Sequence, residues 1–360
     1  MRVKKLGEAK VIIEAPDSHR NYFGWPSAVI TKNGRLAVAC SGFRLEHICP
    51  FGKAVISFSD DGGETFSAPE AVIDTVLDDR DAGLCTFGEN GLILTSFNNT
   101  VEFQRNNCTR EHLKECLDYL DTVSPEDEKN AIGSEFRIST DNGETWSKIY
   151  RSPVTSPHGP TELKDGRILW VGRIFSSDNT FDTAKNHLQV WEIRTDGSMN
   201  KLGEIENTAE NGTVLNSCEP HMIELDDGTL LCHIRMEGGG FFSTYQSESA
   251  DGGKSWSKPH ALLGKRGGAP AHLLKHSSGV LISAYGYREK PYGIRVMLSS
   301  DNGKTWQTDN VIYDSGADDD LGYPATVELP DGSLLTVFYA HTKESEPAVI
   351  MAQKWKIEEE

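Results

Sequence analysis

The sequence predicts an all-β chain folded as a six-bladed β-propeller, with a small helical insertion in blade two. Two interleaved repeats and a pairing of the chain ends carry that reading. The first repeat is Ser-x-Asp-x-Gly-x-Thr-Trp, clearest at Ser139–Trp146 (STDNGETW) and repeated at Ser59–Phe66, Ser249–Trp256 and Ser299–Trp306. Its Ser and Asp side chains suit a capped tight turn, and its Gly supplies a positive φ. Thr and the aromatic residue are expected to start the next strand. Thr195-Asp196-Gly197 is a worn copy.

The second repeat is a glycine turn between apolar runs, at Gly34, Gly91, Gly166, Gly228, Gly279 and Gly332. Each is followed by a β-rich run: LAVAC, LILTSF, ILWVGR, LLCHIR, LISAYG and LLTVFY. Six such units of about four strands each make a propeller, and the aspartate-box turn then joins the third and fourth strands of a blade. The chain ends first in blade six. Ala348–Lys354 is expected to be its third strand and Lys10–Ala15 its outer one, which removes two exposed edges. The whole of 1–360 reads as one propeller domain.

The step from Gly91 to Gly166 is too long, and the excess lies near 103–133. Cys108–Thr122 reads as a helix, with Leu113, Cys116, Leu117 and Leu120 on one face. Ser124-Pro125 reads as the cap and first turn of another. This insertion could wall a site, meet another subunit or decorate the surface. The oligomeric state is left open.

Formal charge is −18, with 36 Lys and Arg against 54 Asp and Glu. That balance argues against a nucleic-acid partner or an anionic membrane surface, both of which need a basic footprint. It also works against long-range steering of an anionic substrate. The start, MRVKKLGEAKVIIEA, has no apolar run of signal-peptide length, and no stretch approaches a membrane span. Seven cysteines lie without CxxC spacing, which fits free thiols in a reducing compartment. The expectation is a cytoplasmic protein, although a chain trimmed of its leader, and so secreted, would read the same.

A propeller gathers its functional groups at one mouth of the central channel. Counting back eight to ten residues from each turn glycine gives the starts of the innermost strands: Trp25, Asp81, His158, Glu219, Pro270 and Tyr323. Counting seven forward gives Ser41, Asn98, Arg173, Arg235, Gly286 and Tyr339 on the same face. The mouth therefore collects Arg, His, Glu, Asp, Trp and Tyr. Trp25 could stack on a sugar ring or plug the channel. His158, His221 and His272 have no metal-ligand spacing, and no metal site is expected. Asp318-Asp319-Asp320 reads as a solvated loop, since it lacks the ligand spacing of a calcium loop. Gly238–Gly240 reads as a flexible loop. No phosphate-binding loop, dinucleotide fingerprint or serine elbow is present, so no cofactor is expected.

Repeated aspartate boxes on six blades resemble the sialidase (neuraminidase) superfamily over essentially the whole chain. Four residues match that family's pattern: Glu219, Arg235 sixteen positions later, Arg295 before the last box, and Tyr323 twenty-eight positions after Arg295. The resemblance implies that Tyr323 is a nucleophile, Glu219 its base, and Arg235 and Arg295 two of three arginines that bind a substrate carboxylate. The chemistry suits the types. A phenol of pKa near 10 needs a neighbouring carboxylate to take its proton, and paired guanidinium groups hold a carboxylate by bidentate bonds. The family's first arginine lies in a Phe/Tyr-Arg-Ile-Pro motif. Here Phe23-Gly24-Trp25-Pro26 puts Trp25 in its place, so the triad is incomplete unless Arg44 or Arg173 substitutes. The family's acid aspartate lies in the blade-one loop, which here reads SGFRLEHICPFGK and offers Glu46 and His47. Asp81, His47 and Asp79 are the candidate acids.

The expected function is thus a sialidase-like retaining exo-glycosidase acting on the terminal, acidic sugar of a glycan or oligosaccharide. The alternatives are another hydrolase or lyase for uronic-acid or neutral sugars on the same scaffold, and a carbohydrate-binding propeller without catalysis.

Overall fold

Each aspartate box closes the same small network, seen most simply at Ser139–Trp146. The Ser139 hydroxyl donates to Asp141 (2.7 Å) and accepts from the Gly143 N–H (2.8 Å), while Asp141 accepts from the Thr145 N–H (2.9 Å) and hydroxyl (2.6 Å). The other three copies repeat it. The aromatic residue does not start the next strand in three copies. It packs inward, and the outer strands begin at Glu70, Tyr150 and His260.

The computed structural model describes all residues of the chain except 110, 178–186, 239–240, 265–267, 269, 344–345 and 359–360. Its strands form six antiparallel sheets, one per blade. Blade one is Tyr22–Ile30, Leu36–Arg44, Lys53–Ser59 and Glu70–Ile73; blade two is Arg80–Phe87, Gly91–Phe97, Ser134–Ser139 and Tyr150–Ser152. Blade three splits its inner strand into Val154–Thr155 and Thr161–Glu162, followed by Ile168–Ile174, Leu188–Ile193 and Met199–Ile205. Blade four is Asn216–Glu224, Leu230–Gly238, Phe241–Ser249 and His260–Ala261; blade five is Ala271–Lys275, Leu281–Tyr287, Gly293–Ser299 and Gln307–Tyr313. The Gly238–Gly240 run lies largely outside the described residues.

Blade six is Gly322–Glu328, Leu334–Ala340 and Val349–Glu358. Lys10–Ile13 pairs with this last strand as expected, and Arg2–Lys5 pairs further along it. The seam between blades six and one is sealed by an apolar cluster that includes Ile13, Phe23, Trp25, Val337 and Ile350.

The insertion holds three short helices, Val101–Asn107, Leu113–Leu120 and Pro125–Ala131. The expected helix over 108–122 is shorter at both ends, because Cys108 turns extended and caps the first helix. Ser124 caps the third, accepting the Asp127 N–H at 3.1 Å, with Pro125 in its first turn. The second helix buries Cys116 and Leu120, and Cys116 packs against Leu45, Cys49 and Phe51 of the blade-one loop. The insertion is thereby tied back to the propeller mouth.

Candidate active site

Four blades share one backbone device at the mouth. Trp25, Asp81, Glu219 and Tyr323 have φ of 53°, 49°, 48° and 48°. At each, the inner strand slips register against its neighbour. A bulge adds an unpaired residue and re-aims its side chain. The left-handed conformation costs a non-glycine residue on the order of 1–2 kcal/mol, so four copies mark a place where strain is kept for geometry. Proline follows in three of them, at Pro26, Pro220 and Pro324, where the ladder needs no N–H. Strand pairing sets the counted positions of the second strands opposite: Gly24 faces Ser41, Cys218 faces Arg235, and Gly322 faces Tyr339.

The mouth holds a cavity of about 260 Å³. Tyr323, Glu219, Asp81, His47, Arg235 and Arg173 all line it. The Tyr323 hydroxyl donates to one oxygen of Glu219, and Arg235 donates to the other at 2.6 Å. Arg235 also reaches the Tyr323 oxygen (3.4 Å) and pairs with Glu237. Burial, then the Glu219 charge, holds the Tyr323 phenol well above its ordinary pKa, so it is a neutral donor. Burial also pushes Glu219 up, but Arg235 and the Tyr323 hydrogen bond outweigh it, and the net shift is downward. The pair is therefore a phenol poised on an ionised carboxylate.

Asp81 lies on the adjacent wall and is 8% exposed. Burial raises its pKa to about 7, against the opposing charge of Arg80 and with a contribution from Glu219. His47 behaves differently. Its Nδ1 is 2.9 Å from Asp320, and burial lowers its pKa despite that partner. Asp79 is fully buried among Thr75 and Asn98 and does not line the cavity.

Several expected residues stand elsewhere. Arg295 is not at this cavity; it lies in the third strand of blade five, its guanidinium 3.7 Å from the centre of the Tyr287 ring and 3.8 Å from Asp309. Arg44 is fully buried and committed. It binds both oxygens of Asp78 (2.5 and 2.9 Å), the Ser41 hydroxyl and the carbonyls of Glu46 and His47. Trp25 is 1% exposed, with the guanidinium of Arg80 at 4.3 Å and that of Arg44 at 4.8 Å from its ring. It is a plug, hemmed by Tyr22, His47, Tyr323 and Tyr339, rather than a platform open to a sugar. His158 is turned into the channel, against His221 (5.3 Å) and His272 (5.2 Å), and does not line the cavity. The left-handed position in blade three is instead Gly159, before Pro160.

The ion pair under Trp25 gives a stability prediction. Replacing Asp78 with Ala strands a buried guanidinium, and the loss is expected to be about 3–5 kcal/mol. A double Arg44→Met, Asp78→Leu change should recover most of it. Urea unfolding measures both; a loss under about 1 kcal/mol for Asp78→Ala would show that the remaining acceptors suffice for Arg44.

Other groups at the site carried weaker sequence signals. Arg288 lies just past the second strand of blade five, two residues beyond the counted Gly286. Its guanidinium is 6.0 Å from the Tyr323 ring centre and donates to the Leu321 carbonyl (3.1 Å). Phe103 and Asn99, from the insertion and its entry, wall the cavity. Asp320 is no solvated loop residue: it accepts from Tyr22 and Tyr339 at 2.8 Å each and pairs with His47 and His341. Those hydrogen bonds hold its carboxyl well below the usual range, against the effect of burial.

Comparison with known proteins agrees with this architecture. Residues 117–336 match the family described as BNR repeat-like domain. No curated protein sequence matches the chain. Among solved structures, a protein of unknown function from Dyadobacter fermentans DSM 18053 is similar over 99% of both chains, at 21% identity and TM-score 0.78. The NanB sialidase from Streptococcus pneumoniae is similar over 98% of this chain and 71% of its own, at 15% identity and TM-score 0.69. A leech intramolecular trans-sialidase, complexed with 2,7-anhydro-Neu5Ac, is similar over 98% of this chain and 70% of its own, at 14% identity and TM-score 0.65. With a family match across more than half its length, the chain belongs to the BNR repeat-like domain family, and it shares the six-bladed fold of those sialidases.

Proposed function

We propose that the protein is a retaining exo-glycosidase that uses Tyr323 as nucleophile and acts on the terminal, acidic sugar of a glycan. The observation that carries the reading is the hydrogen bond from the Tyr323 hydroxyl to a Glu219 carboxylate held by Arg235. As the phenol oxygen attacks the anomeric carbon, its proton passes to Glu219. Asp81, protonated near neutrality, donates to the departing oxygen. The covalent glycosyl-tyrosine is then opened by water: Asp81 takes the water's proton, the tyrosine oxygen leaves and takes its proton back from Glu219, and two inversions give retention. Arg80, Arg173 and Arg235 line the cavity, with Arg288 behind Tyr323, and these are the cations that would meet an anionic group.

One observation favours a sugar other than sialic acid. Trp25 stands at the sequence position where the resemblance expects the first arginine, and Arg44 is spent on Asp78, so an acidic group would be met by a differently arranged set of cations. A uronic acid is the second reading.

The test is hydrolysis of aryl glycosides of sialic acid, uronic acids and neutral sugars, with NMR of the first-formed anomer. Turnover with retention on an acidic sugar is expected. Inversion, an unsaturated product, or binding with no turnover of any glycoside would each rule the proposal out.

A further inference from the structure

Three of the seven cysteines, Cys49, Cys108 and Cys116, gather where the insertion meets the blade-one loop, although the sequence spreads them over nearly seventy positions. Cys108 caps the first insertion helix, and Cys116 is buried in the second. Glu46 reaches in from the loop and is only 9% exposed. The Cys108 and Cys116 sulfurs and a Glu46 carboxylate oxygen all lie within 4.8 Å of one another.

That grouping is costly as it stands. A buried carboxylate beside two sulfurs has like-charged company once either thiol ionises, and burying charge without a counter-charge is unfavourable. Among the described residues, Arg44 is pinned to both oxygens of Asp78 and meets Glu46 only through its backbone carbonyl. The Glu46 side chain accepts the Thr109 N–H at 3.0 Å through Oε1. That bond orients the carboxylate, as outer-shell contacts do for metal ligands, and among the described residues no hydrogen bond is made to Oε2.

We propose that Cys108, Cys116 and Glu46 form a tetrahedral site for a divalent cation of the zinc class, with water as fourth ligand. Two thiolates and one carboxylate are a donor set for zinc rather than for magnesium or calcium, which take oxygen alone. The role is structural. The loop that carries Glu46 also carries His47 into the cavity, and the helix that Cys108 caps carries Phe103 into it. One ion would thus brace two walls of the mouth that no covalent bond joins. The spacing hid the site: seven residues separate the cysteines, and Glu46 lies 62 positions before Cys108.

The full chain, reduced and stripped with a chelator under anaerobic conditions, is titrated with Zn²⁺ and, for spectroscopy, with Co²⁺. Expected are one equivalent bound per chain, tetrahedral cobalt bands with thiolate charge transfer, and a metal-dependent rise in Tm. Cys108→Ser, at a half-buried position that tolerates the change, and Glu46→Gln should each weaken binding by at least about tenfold to a hundredfold. Cys85→Ala, in the blade-two core, should leave it unchanged. The proposal is overturned by failure to retain zinc, by cobalt bands without thiolate charge transfer, by affinity that survives Cys108→Ser, or by a Cys108–Cys116 disulfide in anaerobically purified protein. Activity need not be known for any of these readings.

Discussion

Tyr323→Phe is expected to lower kcat by at least about a thousandfold on every glycoside the protein turns over, while ligand affinity stays within a few-fold. The phenyl ring keeps the contacts with Trp25 and Tyr339, so the mouth holds its shape. The hydroxyl is lost, with its hydrogen bond to Glu219 and the one it accepts from Arg235. Glu219 keeps Arg235 at 2.6 Å and remains ionised. A carboxylate that stays paired gives no reason for misfolding, so unfolding curves should match the wild type. Steady-state kinetics with parallel calorimetry separate the terms. A variant with wild-type kcat would remove Tyr323 from the chemistry and leave the propeller as a scaffold whose catalyst is elsewhere.

The second large effect is expected at Asp81 and has two readouts. In activity, kcat/KM should fall as pH rises through about 7, because the acid loses its proton there. Asp81→Asn should remove that limb and cost about 10²- to 10⁴-fold on substrates with poor leaving groups, and much less on activated aryl glycosides. In stability, the folded carboxyl keeps its proton up to about pH 7, whereas the unfolded one loses it near the ordinary value of 3.8. Between these pH values the folded state binds the extra proton. This contribution is complete below about pH 4 and is lost as pH rises, at about 1.4 kcal/mol per unit. Asp81→Asn should therefore gain on the wild type from pH 5 to pH 8 in urea unfolding. Parallel stability curves across that range would mean that the Asp81 carboxyl ionises normally, and His47 would then be the better acid.

Much of the fold was legible because a propeller writes its period into its turns. The boxes and turn glycines are local signals, and they set strand order before any tertiary contact is considered. The inner ring was legible in four blades because each carries the same bulge. It was misread by one residue in blade three, where a glycine takes the left-handed position and His158 is left to point down the channel. The X-Pro pairs on the inner strands would have set that register. Arg295 went astray because its separation from Tyr323 was matched instead of its strand. A third strand stands outside the first two, and there Arg295 finds Tyr287 and Asp309. The partners of Arg44 and Asp320 could not be read at all. Asp78 is 34 positions from Arg44, and the groups around Asp320 come from both ends of the chain. The helix over Val101–Asn107 lacks an apolar face, and is fixed instead by its Thr100 cap and by Glu128, which accepts the Val101 N–H at 2.8 Å.

The pairing of Lys10–Ile13 with Val349–Glu358 has a consequence for how the protein is made. Tyr323 is on blade six and Trp25 on blade one, so the plug and the phenol meet only across the seam that this pairing seals. During synthesis the first strand must wait for the last, and the pocket is the final part of the molecule to come into being. The Trp25–Tyr323 contact is then a report on ring closure, and a nascent chain with five finished blades has no completed mouth.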